Sequence, residues 1–371
     1  MEAWSVLSRL LPLILLAGAS GWGNAAEARY TITDFGPKTS AVRINAAGEV
    51  TGTRSLPSGD FRAFLFSRGQ LHDLGTLGGA SSVPTGLNDD GTVVGNSRTS
   101  EQGPNGNPVW RPFVYKGGVM RELTVIGLNS EVRLDRIFDI NNGGVVVGLT
   151  DERPRRLCIV SDGRATVAAT LAEYTPPDFI SGLEIKRINA AGQIIGMATA
   201  FQMKQAGPNS SASTNERWHA FVYRDGRMAD LGGFFPSDIN ASGQMVGGRK
   251  GEEGKGRSVL YDGEKFHELG TPPGFESGFA AAINAAGQIV GTGSTNTGRS
   301  GFLWIEVKSH AFIREQGQWK DLNDLVRLEG TGLTALISAK GINDHGQIIC
   351  QAMGKDGYRA VLLTPVEPAK P

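Results

Sequence analysis

Ile44-Asn45-Ala46-Ala47-Gly48, running on into Glu49-Val50-Thr51-Gly52, is a tight turn between two short apolar segments. Asn can hydrogen-bond backbone two residues on, and Gly supplies the positive φ that closes a hairpin loop. The chain writes the phrase seven times. The other copies are Leu87-Asn88-Asp89-Asp90-Gly91, Ile140-Asn141-Asn142-Gly143-Gly144, Ile188-Asn189-Ala190-Ala191-Gly192, Ile239-Asn240-Ala241-Ser242-Gly243, Ile283-Asn284-Ala285-Ala286-Gly287 and Ile342-Asn343-Asp344-His345-Gly346. Successive asparagines are 43, 53, 48, 51, 44 and 59 residues apart. Repeats at such spacing stack as units that cannot bury their apolar faces alone.

Residues 41–75 show what one unit contains. Ala41–Asn45 is a first strand, Glu49–Gly52 a second, Arg62-Ala63-Phe64-Leu65-Phe66 a third and Gln70–Leu74 a fourth, with Ser67-Arg68-Gly69 turning the last pair. Nothing in the period has helical spacing. Seven four-stranded antiparallel units predict an all-β chain folded as a seven-bladed β-propeller. The termini carry a phase offset that fits a ring. Tyr30-Thr31-Ile32-Thr33-Asp34-Phe35-Gly36 reads like the fourth-strand segment Leu71-His72-Asp73-Leu74-Gly75, and Arg359-Ala360-Val361-Leu362-Leu363 reads like a third strand with no fourth after it. Pairing the two ends closes the ring and removes both open edges. A β-solenoid has no use for that offset.

Arg9 followed by Leu10-Leu11-Pro12-Leu13-Ile14-Leu15-Leu16-Ala17 reads as a signal peptide, its apolar stretch too short to span a bilayer. Cleavage is expected near Ala25 or Ala26, with Ala17-Gly18-Ala19 as a second site. The expected organisation is a leader over 1–26, the propeller over 27–365 and a short tail over 366–371, giving an exported monomer in the periplasm or outside the cell. The formal charge of the 371 residues is zero and stays zero without Glu2 and Arg9. That excludes the basic field of non-specific nucleic-acid binders. The two cysteines, Cys158 and Cys350, lie in blades that are not neighbours, so buried free thiols are expected rather than a disulfide.

The third-strand triplets Arg62-Ala63-Phe64, His219-Ala220-Phe221 and His310-Ala311-Phe312, with Asp-Leu-Gly at 73–75 and 230–232, resemble the bacterial extracellular repeats of the HAF family. The resemblance covers essentially the whole chain after the leader and implies an exported repeat protein. It carries over no catalytic residues. The third repeat departs most, with Arg156-Leu157-Cys158 for the triplet and Val167 in place of the acid.

A basic residue opens every third strand: Arg62, Arg111, Arg156, His219, Arg257, His310 and Arg359. An acid follows at a constant separation in five repeats, as Asp73, Glu122, Asp230, Glu268 and Asp321, and Asp34 would serve Arg359 across the ring closure. A constant separation across a hairpin means a constant cross-strand relation, which predicts a structural ion pair in each blade. Arg43, Asp139, Arg187 and Asp238 share another repeat position, two before the asparagine. They are the candidate binding residues, able to line a channel mouth as mixed charges or to pair with one another between blades.

Asn88-Asp89-Asp90-Gly91 resembles a calcium loop, but most copies of the turn offer too few oxygens. The histidines lack metal-ligand spacing, and there is no P-loop, nucleophile elbow or Cys-x-x-Cys, so no cofactor or metal is expected. Ser97–Val109, Met197–Trp218, Thr292–Ser309 and Leu322–Lys340 are long connections of the second-to-third or fourth-to-first kind. Both kinds emerge on one face, making it irregular where the Asn-x-x-Gly face is uniform. Binding loops gather on irregular surfaces held by rigid scaffolds. The expected function is a binding or scaffold module for an extracellular or envelope glycan or protein. The alternative is a secreted carbohydrate hydrolase or lyase with its site at the channel mouth.

Overall fold

The computed structural model describes residues 28–128, 132–152, 155–168, 180–203, 214–250, 256–301 and 304–366. The expected leader and most of the tail lie outside them, as does the middle of the Met197–Trp218 connection. The described residues form seven antiparallel sheets of four strands each. In the first complete blade these are Thr39–Ile44, Val50–Ser55, Phe61–Ser67 and Gln70–Asp73, within a residue or two of the sequence reading at most ends. The first strands of the blades that follow are Gly78–Leu87, Leu134–Ile140, Ile180–Ile188, Phe234–Ile239, Ser277–Ile283 and Leu333–Ile342. We number the blades 1 to 7 in that order.

Blade 7 is completed from the other end of the chain. Its order is β26 (Leu333–Ile342), β27 (Ile348–Gly354) and β28 (Gly357–Pro365), with β1 (Tyr30–Pro37) outermost. β1 runs antiparallel to β28 with Tyr30 opposite Pro365 and Asp34 opposite Val361. The ring is therefore closed by the N-terminal strand.

The core lies between blades rather than inside them. Val147, Leu149 and Leu157 of blade 3 pack with Ile185, Ile188, Ile194 and Phe221 of blade 4. Phe35, Ile349, Ala360 and Leu362 of blade 7 pack in the same way with Val50 and Phe64 of blade 1. Each sheet packs on both faces, so segments of its second and third strands, such as Val146–Leu149 and Ala220–Val222, are buried without alternation. The Phe of the triplet has a specific place in this packing. A Cβ built on Gly196 would sit 2.3 Å from the Glu184 carbonyl and 2.6 Å from the Phe221 ring, so only glycine lets that ring close over the second strand.

All seven Asn-x-x-Gly turns end in a glycine of positive φ, between 73° and 84°. Five of the six expected base–acid contacts also form. His219 Nδ1 meets Asp230 Oδ2 at 3.0 Å, His310 Nδ1 meets Asp321 Oδ2 at 2.6 Å, and Arg257 reaches Glu268 at 2.9 Å. Arg359 reaches Asp34 at 2.7 Å across the closure. Arg111 lies 3.9 Å from Glu122 and 3.1 Å from Glu101. Arg156, with no acid on the fourth strand, takes Glu152 from its own hairpin. Asp-x-Gly is thereby explained: Oδ1 of Asp34, Asp73 and Asp230 accepts the N–H two residues on, at Gly36, Gly75 and Gly232, and in Asp34 and Asp230 Oδ2 meets the base.

Three expectations need correction. Arg62 and Asp73 make no ion pair: Arg62 lends its charge to Asp60 in the preceding loop, and its Nε is buried without a partner. Three of the long connections are largely ladder. Thr292–Ser309 belongs to a hairpin of Ile289–Gly301 and Trp304–Glu315 paired as far as Gly301 opposite Trp304, the Ser97–Val109 ladder runs on to Gln102 opposite Pro108, and the described ends of Met197–Trp218 pair as far as Met203 opposite Thr214. Backbone pairing needs no apolar alternation once a hairpin projects beyond its neighbours, so the sequence there does not read as strand. Leu322–Lys340 holds a 3-10 turn, Leu322–Leu325, capped by Asp321 and seated by the fully buried Leu322, and then most of β26.

Candidate functional site

Every first strand bulges at the same place. The register slips between Ala41 and Arg43, Pro84 and Gly86, Ile137 and Asp139, Ile185 and Arg187, Pro236 and Asp238, Ala280 and Ala282, and Ala339 and Gly341. A bulge re-aims the side chain that follows it. Here it directs the residue two before the asparagine toward the central channel. Going round the ring, that position holds Arg43, Gly86, Asp139, Arg187, Asp238, Ala282 and Gly341.

The structure brings the four expected charges together there, and they both line the channel and pair between blades. Arg43 Nε donates to Asp139 Oδ1 at 3.4 Å, and Arg187 Nε to Asp238 Oδ1 at 2.8 Å. The first pair skips blade 2, which is possible because Gly86 has no side chain: a Cβ there would lie 3.0 Å from Asp139 Oδ1. Each carboxylate also takes a backbone N–H from the following blade, Ile188 to Asp139 and Ile283 to Asp238. Burial and the nearby Arg187 charge pull the Arg43 guanidinium down to about 10, against the pull of Asp139 and Asp238. Among the described residues no three His, Cys, Asp or Glu side chains converge as a metal site.

Sequence reasoning missed the feature that binds the channel wall together. Each turn asparagine donates Nδ2–H to the carbonyl of the next blade's asparagine. Asn45 reaches Asn88, Asn88 reaches Asn141, and so on round the ring until Asn343 returns to Asn45, at 3.0–3.4 Å throughout. Oδ1 of each accepts the N–H four residues on, as from Glu49 to Asn45 and from Gln193 to Asn189. All seven side chains are buried, with 3–6 % exposed. A turn alone tolerates Asp or Ser at this position. The constancy of Asn across seven copies was the available signal, since a short amide carries its acceptor oxygen and its donor NH2 on separate atoms and so reaches its own turn and the next blade at once.

Above this girdle the channel opens into a cavity of about 250 Å³ lined by the four charges and by turn residues such as Ala46, Asp89, Asn142, Ala190, Ala241 and Asp344. It opens on the uniform face, not on the irregular one that connection lengths singled out. On the irregular side the structure shows a different pattern. The residue just before the third-strand base is a large aromatic in blades 1, 2, 4 and 7: Phe61, Trp110, Trp218 and Tyr358. Phe235 and Phe279 occupy first strands on the irregular side of the charge layer. All six side chains are between 38 and 57 % exposed. Arg98 lies over the Trp110 ring at 5.3 Å.

No family model matches the chain, and no curated protein matches it. Solved structures do. The β-propeller domain of the trilobed protease from Pyrococcus furiosus matches with a TM-score of 0.52 and 11 % identity over 91 % of this chain and 96 % of that one. That domain is described as having an open velcro topology; here β1 completes blade 7. An ulvan lyase bound to a saccharide matches with a TM-score of 0.44, 10 % identity and coverage of 91 % and 94 %. YCF48 bound to the D1 peptide matches at 0.48, with 9 % identity and coverage of 93 % and 98 %. At 11 % identity the likeness to the protease domain is one of fold. The class this defines is a β-propeller, with seven blades closed by the N-terminal strand. No helix among the described residues is long and apolar enough to cross a membrane.

Proposed function

We propose that the protein is an exported binding module, of the HAF-repeat kind, that presents its irregular face to a ligand outside the cell or in the cell envelope. The observation that carries this reading is the set of exposed aromatics on that face. A Phe, Trp or Tyr left 38–57 % exposed forgoes much of the stabilisation of burial, and single instances are ordinary. Six on one face, four of them at one repeat position, recur from blade to blade, and that recurrence is what supports recognition there. Such rings offer a flat apolar body to the C–H face of a sugar or to a peptide side chain, at little cost in side-chain entropy. The rival reading, a hydrolase or lyase at the channel, gains nothing from the cavity carboxylates. Asp139 and Asp238 are each held by a guanidinium and a backbone N–H, which leaves neither placed as a general acid.

The test is retention on insoluble polysaccharides and on cell-envelope fractions. Wild type should be retained by at least one of them, and Trp110→Ala with Trp218→Ala should weaken that retention at least tenfold while the melting temperature moves little. Retention unchanged in the double variant would place the contact elsewhere.

A further inference from the structure

The residue after each girdle asparagine points its N–H along the rim of the uniform-face cavity. In three blades that N–H is capped by the side chain at the same position of the next blade. Asp89 Oδ1 accepts from Ala46 at 2.8 Å, Asp344 Oδ1 accepts from Ala285 at 2.8 Å, and Asn142 Oδ1 accepts from Asp89 at 3.0 Å. The protein thus carries internal carboxylates on two of these N–H groups. For the N–H groups of blades 3, 4, 5 and 7 the capping position of the next blade holds Ala190, Ala241, Ala285 and Ala46, which have no side-chain oxygen to offer. The N–H groups of Asn142, Ala190, Ala241 and Asp344 therefore meet no acceptor among the described residues, and the first three follow one another round one side of the cavity.

A second observation points the same way. Arg43 and Arg187 stand in the wall below, close enough for one charge to depress the other, and both line the same cavity. Each spends Nε on an aspartate and Nη1 on a backbone carbonyl, which leaves Nη2 with no partner in the described chain. The wall aspartates are each engaged at both oxygens, by these arginines at Oδ1 and by Ile188 and Ile283 at Oδ2. The rim carboxylate of Asp89 is likewise engaged, by Ala46 and by Asn142 Nδ2.

We propose that the uniform-face mouth is a carboxylate-binding site. The N–H groups of Asn142, Ala190 and Ala241 receive the carboxylate oxygens, as Ala46 and Ala285 receive those of Asp89 and Asp344. Arg43 and Arg187, their charges already matched by Asp139 and Asp238, offer the remaining Nη2 donors from below. Successive backbone N–H groups bordering a concavity are a general anion-binding device. About 250 Å³ admits one terminal group rather than an extended chain, so the occupant is the carboxylate end of a larger molecule: a peptide C-terminus or an acidic sugar. The site lies across the molecule from the aromatic face and stands or falls independently of it.

The internal caps also supply the variants that test this. Ala190→Asp and Ala241→Asp should cap Asn142 and Ala190 as Asp89 caps Ala46, filling the site with the fold intact. Titration calorimetry would compare triglycine with its C-terminal amide, and glucuronate with glucose. At least one free carboxylate should bind wild type and its neutral counterpart should not, with the binding probe naming the source. The double Asp variant should lose at least tenfold in affinity at an unchanged or higher melting temperature. The double Asn variant, which caps without charge, should lose a similar amount. No binding of either carboxylate, equal binding of the neutral probes, or binding that survives either double variant would overturn the proposal. Loss with Asp but not with Asn would show that bare charge is read and would overturn the N–H assignment.

Discussion

At the scale of the residue, one amide side chain does two jobs seven times. Oδ1 holds the turn it belongs to and Nδ2 holds the next blade. Each such bond contributes about 1 kcal/mol net, while a buried donor or acceptor left unpaired costs about 1–3 kcal/mol. Asn189→Asp separates the two jobs, because a carboxylate keeps the acceptor and loses the donor to the Asn240 carbonyl. We expect it to lower the unfolding free energy by about 2 kcal/mol in urea, without changing the dependence on denaturant. An unchanged midpoint would mean that the contact between blades adds nothing. The turn itself was legible in the sequence because Gly192 and its counterparts supply a local requirement that spacing reveals. The bond from Asn189 to Asn240 was not, since it joins residues 51 apart and leaves no periodic trace within either strand. The same holds at the cavity. Arg43 and Asp139 share a repeat position that the sequence shows, but their pairing across blade 2 depends on Gly86 and a bulge that it does not.

At the scale of the element, the decisive strand is β1. Its entry is stapled by Arg29, whose guanidinium donates to Glu315 at the end of the blade 6 third strand at 2.6 Å, and Lys320 joins the same carboxylate at 2.8 Å. The Arg29 hydrogen bond, with Lys320 added, outweighs burial and holds the Glu315 carboxyl down to about 2 from its ordinary 4.5. A carboxyl with a depressed folded-state pKa stabilises fully above its unfolded value, and the contribution is lost as pH falls through the folded one. The window is therefore between about 4.5 and 2. Arg29 is nearly half exposed, so screening reduces the contribution to about 1 kcal/mol. Glu315→Gln should lower the melting temperature at neutral pH and lose less of it than wild type between pH 4.5 and 2. Parallel curves for the two proteins would contradict the pairing. β1 was legible because Tyr30–Gly36 repeats the fourth-strand pattern of another blade. The projecting hairpins were not, because their pairing rests on backbone groups that every residue carries.

At the scale of the molecule, the repeat makes one face alike in all blades and lets the other vary. The seven turns, seven bulges and seven asparagines build a closed wall, and second strands of 5 to 13 residues carry the hairpins of the opposite side to different heights. The recognition proposed for the aromatics of the irregular face and for the rim N–H groups of the uniform face depends in both cases on that wall holding its shape. The girdle is thus the central claim. Side-chain amide hydrogen exchange, followed by NMR for the seven turn asparagines, tests it most directly. The account predicts seven protected Nδ2 protons, one per blade including Asn343 across the closure, with exchange far slower than that of exposed side-chain amides in the same protein. Seven amides exchanging at the rate of exposed ones would show that the ring is not joined at its centre.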